Sequence, residues 1–252
     1  MDWEAWQQRW DRQQEVYLPD REARFAAMLD VVEAARGSEP RVLDLAGGTG
    51  SISRRVLARF PKATTVILDV DPALLAIATG SFQSDERVTI RAADLDDPSW
   101  VASAGAPDSF DAVLTATALH WLTPERIRAV YAEAAGLLRP GGVFANADHM
   151  ADEGLAGLNE AVARLHKSQV EHSRAGGRWD WERWWEELAA EPEMAELIAR
   201  RNAHFAAAPT SSHTRSYLSS SWHLDALRAA GYEHAGLAWR GLADALAVGV
   251  RA

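Results

Sequence analysis

Apolar and polar positions along the chain fall into two alternating rhythms. Short runs rich in aliphatic and β-branched residues occur at Arg41 to Leu45, Thr64 to Asp69, Arg87 to Ala92, Phe110 to Ala116 and Val143 to Ala147. Each is nearly continuous in apolar residues and bounded by turn residues, which predicts buried strands of a parallel sheet. The segments between them have helical spacing. Ile52, Val56, Leu57 and Phe60 line one face of a helix predicted over Ser51 to Phe60, and further helices are predicted from Pro72 to Thr79 and Pro124 to Leu138. Asp71, ahead of Pro72, reads more simply as a helix cap than as a second acid facing a ligand beside Asp69. Strands alternating with helices over 252 residues make one α/β domain with embellishments.

Two segments lie outside this alternation. Near the N-terminus Trp3, Trp6 and Trp10 recur at i, i+3 and i+7, with Tyr17 and Phe25 following. That helical face must cover something apolar, either the sheet or, as a lid, a ligand site that has to exclude water. The second segment, Met150 to Ser221, reads as helices over Gly154 to Ser173, Trp181 to Ala190 and Met194 to Ala207, separated by Gly176-Gly177 and Pro192. Trp179, Trp181, Trp184 and Trp185 crowd one stretch of it, as core packing, as a wall over the site, or as a homodimer contact.

The candidate chemistry centres on Val42-Leu-Asp-Leu-Ala-Gly-Gly-Thr-Gly50, where an apolar strand runs through a carboxylate into a glycine turn and then a helix. Gly47, Gly48 and Gly50 let the backbone take positive φ and approach a ligand closely, and amides at the helix start face that ligand. A nicotinamide dinucleotide enzyme would place its third fingerprint glycine where Ser53 stands. Asp44, ahead of the glycines, also suits a cationic ligand better than a pyrophosphate. Asp69 ends the second strand about twenty residues past the glycines, the spacing at which a carboxylate meets ribose hydroxyls. Asp94 and Leu95 lie just past the third strand, where Asp94 could accept from an adenine amino group; Asp96 and Asp97 read as solvated loop or cap residues.

Taken with Thr117-Ala-Leu-His-Trp-Leu122 after the fourth strand and Leu137-Leu-Arg-Pro-Gly-Gly142 before the fifth, this order of elements resembles the class I S-adenosylmethionine-dependent methyltransferases. The resemblance covers Arg41 to Asp148 closely and Ala230 to Val250, which looks like that family's closing antiparallel strand pair, more loosely. It departs at Ala46, where many members have glycine. It implies a Rossmann-like, doubly wound, seven-stranded α/β sheet, with a helical lid at 1–36, the cofactor-binding core at 37–149, a helical insert at 150–221, and a final helix with closing strands at 222–252. The implied cofactor is S-adenosylmethionine, leaving as S-adenosylhomocysteine, held by Asp44, Ala46, Gly47, Gly48, Gly50, Asp69, Val70, Asp94, Leu95 and Thr117. Charge complementarity agrees, since the cofactor offers an ammonium, a sulfonium, a diol and an amino-purine. No metal is required.

A net charge of −10 argues against a nucleic-acid acceptor, whose phosphates need a basic surface. Arg54, Arg55, Arg59 and Lys62 could form a local basic patch, but read more simply as the solvated face of a helix. The chain has no cysteine, so disulfide and thiolate chemistry are excluded and cytoplasmic residence is compatible. The acidic, aromatic start is not a signal peptide, and no apolar run is long enough to span a bilayer.

Histidines are the natural proton acceptors near neutrality. His120 follows the fourth strand and His149 the fifth, at the carboxyl edge where a ligand would sit. His120-Trp121-Leu122 is similar to a segment of trans-aconitate methyltransferases and their relatives, which esterify carboxylates. His120 and His149 are the candidate catalytic residues, either as base or orienting donor, with a structural role beneath adenine or lid as the other reading for His120. His204, His213 and His223 are weaker candidates for substrate contact. The expected function is methyl transfer to a small-molecule hydroxyl, carboxylate or amine, in a setting such as bacterial secondary metabolism, with a homodimer as one arrangement. The alternative is a cofactor binder on the same fold that does not methylate, a pericyclase or regulatory protein.

Overall fold

The computed structural model describes residues 1–18, 20–175, 181–207 and 217–252. Trp179, Gly176-Gly177 and His213 lie outside these described residues. Two helices, α1 (Trp3–Tyr17) and α2 (Arg21–Arg36), precede a run of alternating elements: β1 (Arg41–Leu45), α3 (Ser51–Arg59), β2 (Thr64–Asp69), α4 (Pro72–Ser81), β3 (Val88–Ala92), α5 (Trp100–Ala104), β4 (Phe110–Ala116), α6 (Pro124–Leu137) and β5 (Leu138–His149). The insert supplies α7 (Ala156–Ala175), α8 (Trp181–Ala189) and α9 (Ala195–Ala207), and the chain closes with α10 (Ser220–Ala229), β6 (Tyr232–Arg240) and β7 (Asp244–Arg251). Among the described residues, no helix is long and apolar enough to cross a membrane.

The sheet order is β3-β2-β1-β4-β5-β7-β6. The first five strands are parallel, while β7 pairs antiparallel with β5 and with β6. The order reverses between β1 and β4, so the carboxyl ends of those strands splay apart into the crevice where open α/β sheets bind ligands. Alternate residues feed two cores. Leu43, Leu45, Val113 and Phe144 face Tyr131 of α6 and Leu227 of α10. On the other side Val42, Ile67, Leu114 and Val143 face Met28 and Val32 of α2 and Val56 of α3.

The predicted caps are present. Asp71 accepts from the amides of Ala73 and Leu74 at 2.9 and 3.3 Å, with Pro72 opening α4. Strand β5 begins earlier than its apolar run, because Leu138 pairs with Phe110 and the register then shifts across an irregularity at Arg139–Gly142 before Val143 pairs with Ala112. The cations of α3 do not form an open patch. Arg54 pairs with Glu4, Arg55 with Glu22 and Asp11, Arg59 with Asp30 and Glu33, and Lys62 with Glu39. The three arginines thus link α3 to α1 and α2, while Lys62, beyond α3, and Glu39 form an exposed pair.

A third core joins the two segments that the sequence leaves apart. Trp6 of α1, Ala73, Leu74 and Ile77 of α4, and Trp184, Leu188 and Met194 of the insert are all buried together. Trp184 meets Trp6 edge-on at 5.6 Å and Trp10 at 4.9 Å between ring centroids. Trp3 lies so close to Gly80 of α4 that a Cβ there would come within 2.1 Å of its ring. The tryptophan face of α1 therefore covers α4 and α8 rather than the sheet, and N-terminal helix and insert form one cap.

Candidate active site

The turn after β1 enters the left-handed region at every second residue, with φ of 54° at Ala46, 55° at Gly48 and 82° at Gly50. Gly47 sits on the Asp44 side chain, and a Cβ there would stand 2.6 Å from the carboxyl carbon. Beneath it Asp44 is fully buried. Its Oδ2 accepts from the amide and the hydroxyl of Ser53 at 2.9 and 2.8 Å. The serine in place of a third fingerprint glycine thus has a task of its own. Asp44 Oδ1 has no hydrogen-bond partner. Burial pushes the Asp44 carboxyl up to about 6, against the two bonds from Ser53.

Asp69 is tied into the same unit. Its Oδ2 accepts from the Gly48 amide at 2.7 Å and its Oδ1 from the Asp71 amide at 2.8 Å. Burial again dominates and raises it to about 6, with the negative charge of Asp71 adding to the effect. Val70 lies between the two acids, partly buried. At the end of β3 Asp94 accepts from the Asp96 amide at 2.9 Å, and the buried Leu95 offers its carbonyl to Arg126 Nε. Asp97 accepts from the Ser99 amide, as a local cap. Thr117, with φ of 52°, anchors the exit of β4 by donating its amide to the Ala147 carbonyl at 2.9 Å.

The histidines stand across the crevice, past β4 and β5. His120 Nδ1 lies 2.7 Å from Asp148 Oδ1, and His149 Nδ1 lies 2.5 Å from Asp244 Oδ1. The ring centroids are 5.9 Å apart, and Tyr217 sits 5.6 Å from each. His120 is 7% exposed and the His149 side chain 24%. Burial raises the Asp148 carboxyl, but the charges and bonds of His120 and His149 outweigh it and hold it below the usual range. Asp244 is likewise held low against its own burial, by His149 and by Arg24, whose Nη2 reaches it at 2.6 Å.

Residues 42–142 match a family described as a methyltransferase domain. This stretch is a class I S-adenosylmethionine-dependent methyltransferase domain. S-adenosylmethionine is the cofactor of such a domain. Among curated relatives, a malonyl-[acyl-carrier protein] O-methyltransferase of Paenibacillus is 26% identical over 66% of this chain and 59% of its own length. A ubiquinone/menaquinone biosynthesis C-methyltransferase of Dinoroseobacter shibae is 35% identical over 46% of this chain and 44% of its own. The chain thus spans only about half the length of these relatives. Among solved structures, an O-methyltransferase family protein from Burkholderia thailandensis has a TM-score of 0.56 at 20% identity, covering 97% of this chain and 68% of that one. Human N-acetylserotonin methyltransferase in complex with S-adenosylmethionine also has a TM-score of 0.56, at 15% identity, covering 94% and 53%. These likenesses carry the fold.

The methyltransferase domain fits its cofactor on two observations of its own. The Asp44 Oδ1 acceptor is buried without a partner, and Gly48 brings bare backbone beside the Asp69 carboxylate, whereas a Cβ at Gly50 would meet Ile67 and Phe82 of the core. Helix α1 lies against the residue after this turn, where Gln7 Nε2 donates to Ser51 Oγ at 3.4 Å and Ser51 Oγ donates to Asp11 at 2.6 Å. His204 on α9 reaches Asp94, with Nε2 3.6 Å from Oδ2. His223 belongs elsewhere. It is buried behind the sheet against the Tyr131 hydroxyl at 2.7 Å, and burial lowers it to about 4.

Asp148, Asp244 and Arg24 were not singled out by the sequence, and Ser53 was noted there for its position and not as a partner of Asp44. An acid inside the apolar run Val143 to Met150 and another at the head of Asp244 to Val250 were the available signals.

Proposed function

We propose that the chain methylates a small molecule at a hydroxyl or amine, with His149 as general base and His120 orienting the acceptor. Bound S-adenosylmethionine supplies a methyl group activated by its sulfonium. Asp69 would accept from the ribose hydroxyls, with Val70 beside it, and Asp94 with Leu95 would meet adenine. The backbone from Ala46 to Gly48, ahead of Gly50, would flank the amino-acid part, and Asp44 would face its ammonium. Thr117 would line the passage from β4 towards the acceptor.

The observation that carries this reading is the pair of carboxylate-anchored imidazoles at the ends of β4 and β5. A histidine that donates Nδ1–H to a carboxylate presents a basic Nε2. His149, the more exposed of the two, is the better placed to take the acceptor proton as the acceptor lone pair closes on the methyl carbon. Such a base contributes roughly 10²- to 10⁴-fold for a hydroxyl or amine and little for a carboxylate, which is already ionised. Alignment contributes more, on the order of 7 to 11 kcal/mol. The net charge of −10 and the paired arginines of α3 favour a small acceptor over nucleic acid.

Calorimetric titration with S-adenosylmethionine, S-adenosylhomocysteine and NAD, beside an Asp69→Ala variant, tests the cofactor role. An acceptor screen read as S-adenosylhomocysteine release then tests the reaction, and persistent binding without release would favour a non-methylating binder. Full turnover in both His149→Ala and His120→Ala would remove the histidines from the chemistry.

A further inference from the structure

One face of α9 touches acids at two neighbouring strand ends. Asp71 divides its carboxylate: Oδ1 caps α4, while Oδ2 accepts from Arg201 Nε at 2.7 Å. This pair is largely withdrawn from water, with side chains 20% and 5% exposed. The Arg201 guanidinium also lies 3.8 Å from the ring centroid of Trp185 and 4.9 Å from that of Phe205. Trp185 in turn packs edge-on against Trp184 at 4.9 Å, and Trp184 sits on Trp6 and Trp10. Three residues further along α9, on the same face, His204 meets Asp94.

These contacts converge on the proposed nucleoside position. Asp71 is bonded through its amide to Asp69, the ribose acid, and Asp94 is the adenine acid. Arg201 also favours the ionised form of Asp71 against the burial that opposes it. A cation sandwiched between aromatic rings and bonded to a buried carboxylate is held in one geometry. We propose that Arg201 is the latch by which α9 closes the nucleoside end of the cofactor site, so that S-adenosylmethionine enters and S-adenosylhomocysteine leaves only when the Arg201–Asp71 pair opens. The proposal rests on the placement of the nucleoside between Asp69 and Asp94. Arg201 is a positioning residue here, since it acts on the cofactor through Asp71.

A gate differs from a contact in its kinetics. Removing a contact speeds dissociation alone, whereas removing a latch raises the open population and speeds both association and dissociation. The full chain is mixed rapidly with S-adenosylmethionine or S-adenosylhomocysteine and followed by tryptophan fluorescence, with Trp185 beside the latch. Arg201→Ala is expected to raise both rate constants about tenfold, the equivalent of about 1.4 kcal/mol. Arg201→Gln, which keeps the stem packed on Trp185, shows the same direction should the alanine variant fold poorly, and Arg201→Lys restores much of the slow exchange. Unchanged rates in Arg201→Ala and Arg201→Gln, beside an Asp69→Ala variant that has lost affinity, would overturn the latch and leave the nucleoside placement standing. Wild-type affinity in Asp69→Ala would overturn the placement itself.

Discussion

Asp44 is retained at a cost to stability, and Asp44→Asn should expose that cost. The carboxylate is fully buried and raised from 3.8 to about 6. A carboxyl that holds its proton more tightly when folded contributes stability in full below about pH 3.8, loses it as pH rises towards 6, and contributes no further change above. The gap is about two pH units at about 1.36 kcal/mol each, so ionising Asp44 in place costs on the order of 3 kcal/mol at neutral pH. Asparagine keeps the acceptor for Ser53 and never ionises. It also turns an amide donor towards the position where Oδ1 now has no partner, which returns about 1 kcal/mol or more of that gain. The expected net effect is a ligand-free variant more stable than wild type by about 1 to 2 kcal/mol at pH 7.5, and equal or slightly less stable at pH 4.5. Urea unfolding at both pH values measures it, and taking the difference between the two proteins cancels groups common to both, including His223. In the same variant S-adenosylmethionine affinity should fall at least tenfold, since the ammonium loses its counter-charge. A stability difference independent of pH would refute the argument.

The left-handed Ala46 strains an L-residue where glycine would not, so Ala46→Gly should stabilise the fold by about 0.5 to 1 kcal/mol, net of glycine's larger unfolded entropy. Calorimetry should show the melting temperature up by roughly 2 °C, and a fall would mean that the Ala46 methyl packs usefully. Trp184→Ala should cost about 3 to 5 kcal/mol if α1, α4 and α8 share one core, with the cap becoming sensitive to limited proteolysis before the sheet does. A loss under about 1 kcal/mol in urea would mean that the cap is not fused to the rest.

The cofactor half of the site was legible because its determinants are local. A β-branched run, a terminal carboxylate and a glycine turn follow one another within a few residues, so Asp44, Asp69 and Asp94 could be assigned to strand ends from spacing alone. The acceptor half depends on long-range register. His149 and Asp244 are direct partners in the antiparallel β5–β7 pair, a relation that no periodicity within either strand encodes. Arg201 was hidden for a related reason. On α9 it reads as one more polar position of an amphipathic helix, and its role appears only once α8 seats on α1. The tryptophans of the insert left core packing, a wall over the site and a dimer contact open; Trp184 is buried in the core that α1, α4 and the insert share.

The two halves also hold their buried acids with different partners. On the β1–β3 side three acids, Asp44, Asp69 and Asp71, crowd one turn, and burial raises each of them. That side is therefore incomplete without a cation, which Arg201 supplies to Asp71 from the insert while Asp44 keeps an unpartnered oxygen. On the β4–β7 side Asp148 is paired with His120 and Asp244 with His149 and Arg24, of which Arg24 is the permanent cation, and Asp148 Oδ2, like Asp44 Oδ1, is buried without a hydrogen-bond partner. Arg24 lies on α2 and Tyr217 just before α10, so an acceptor near His149 would be enclosed by elements outside the alternating core. Changing the acceptor would then require changes in those covering elements, while the acids that select the cofactor could stay as they are.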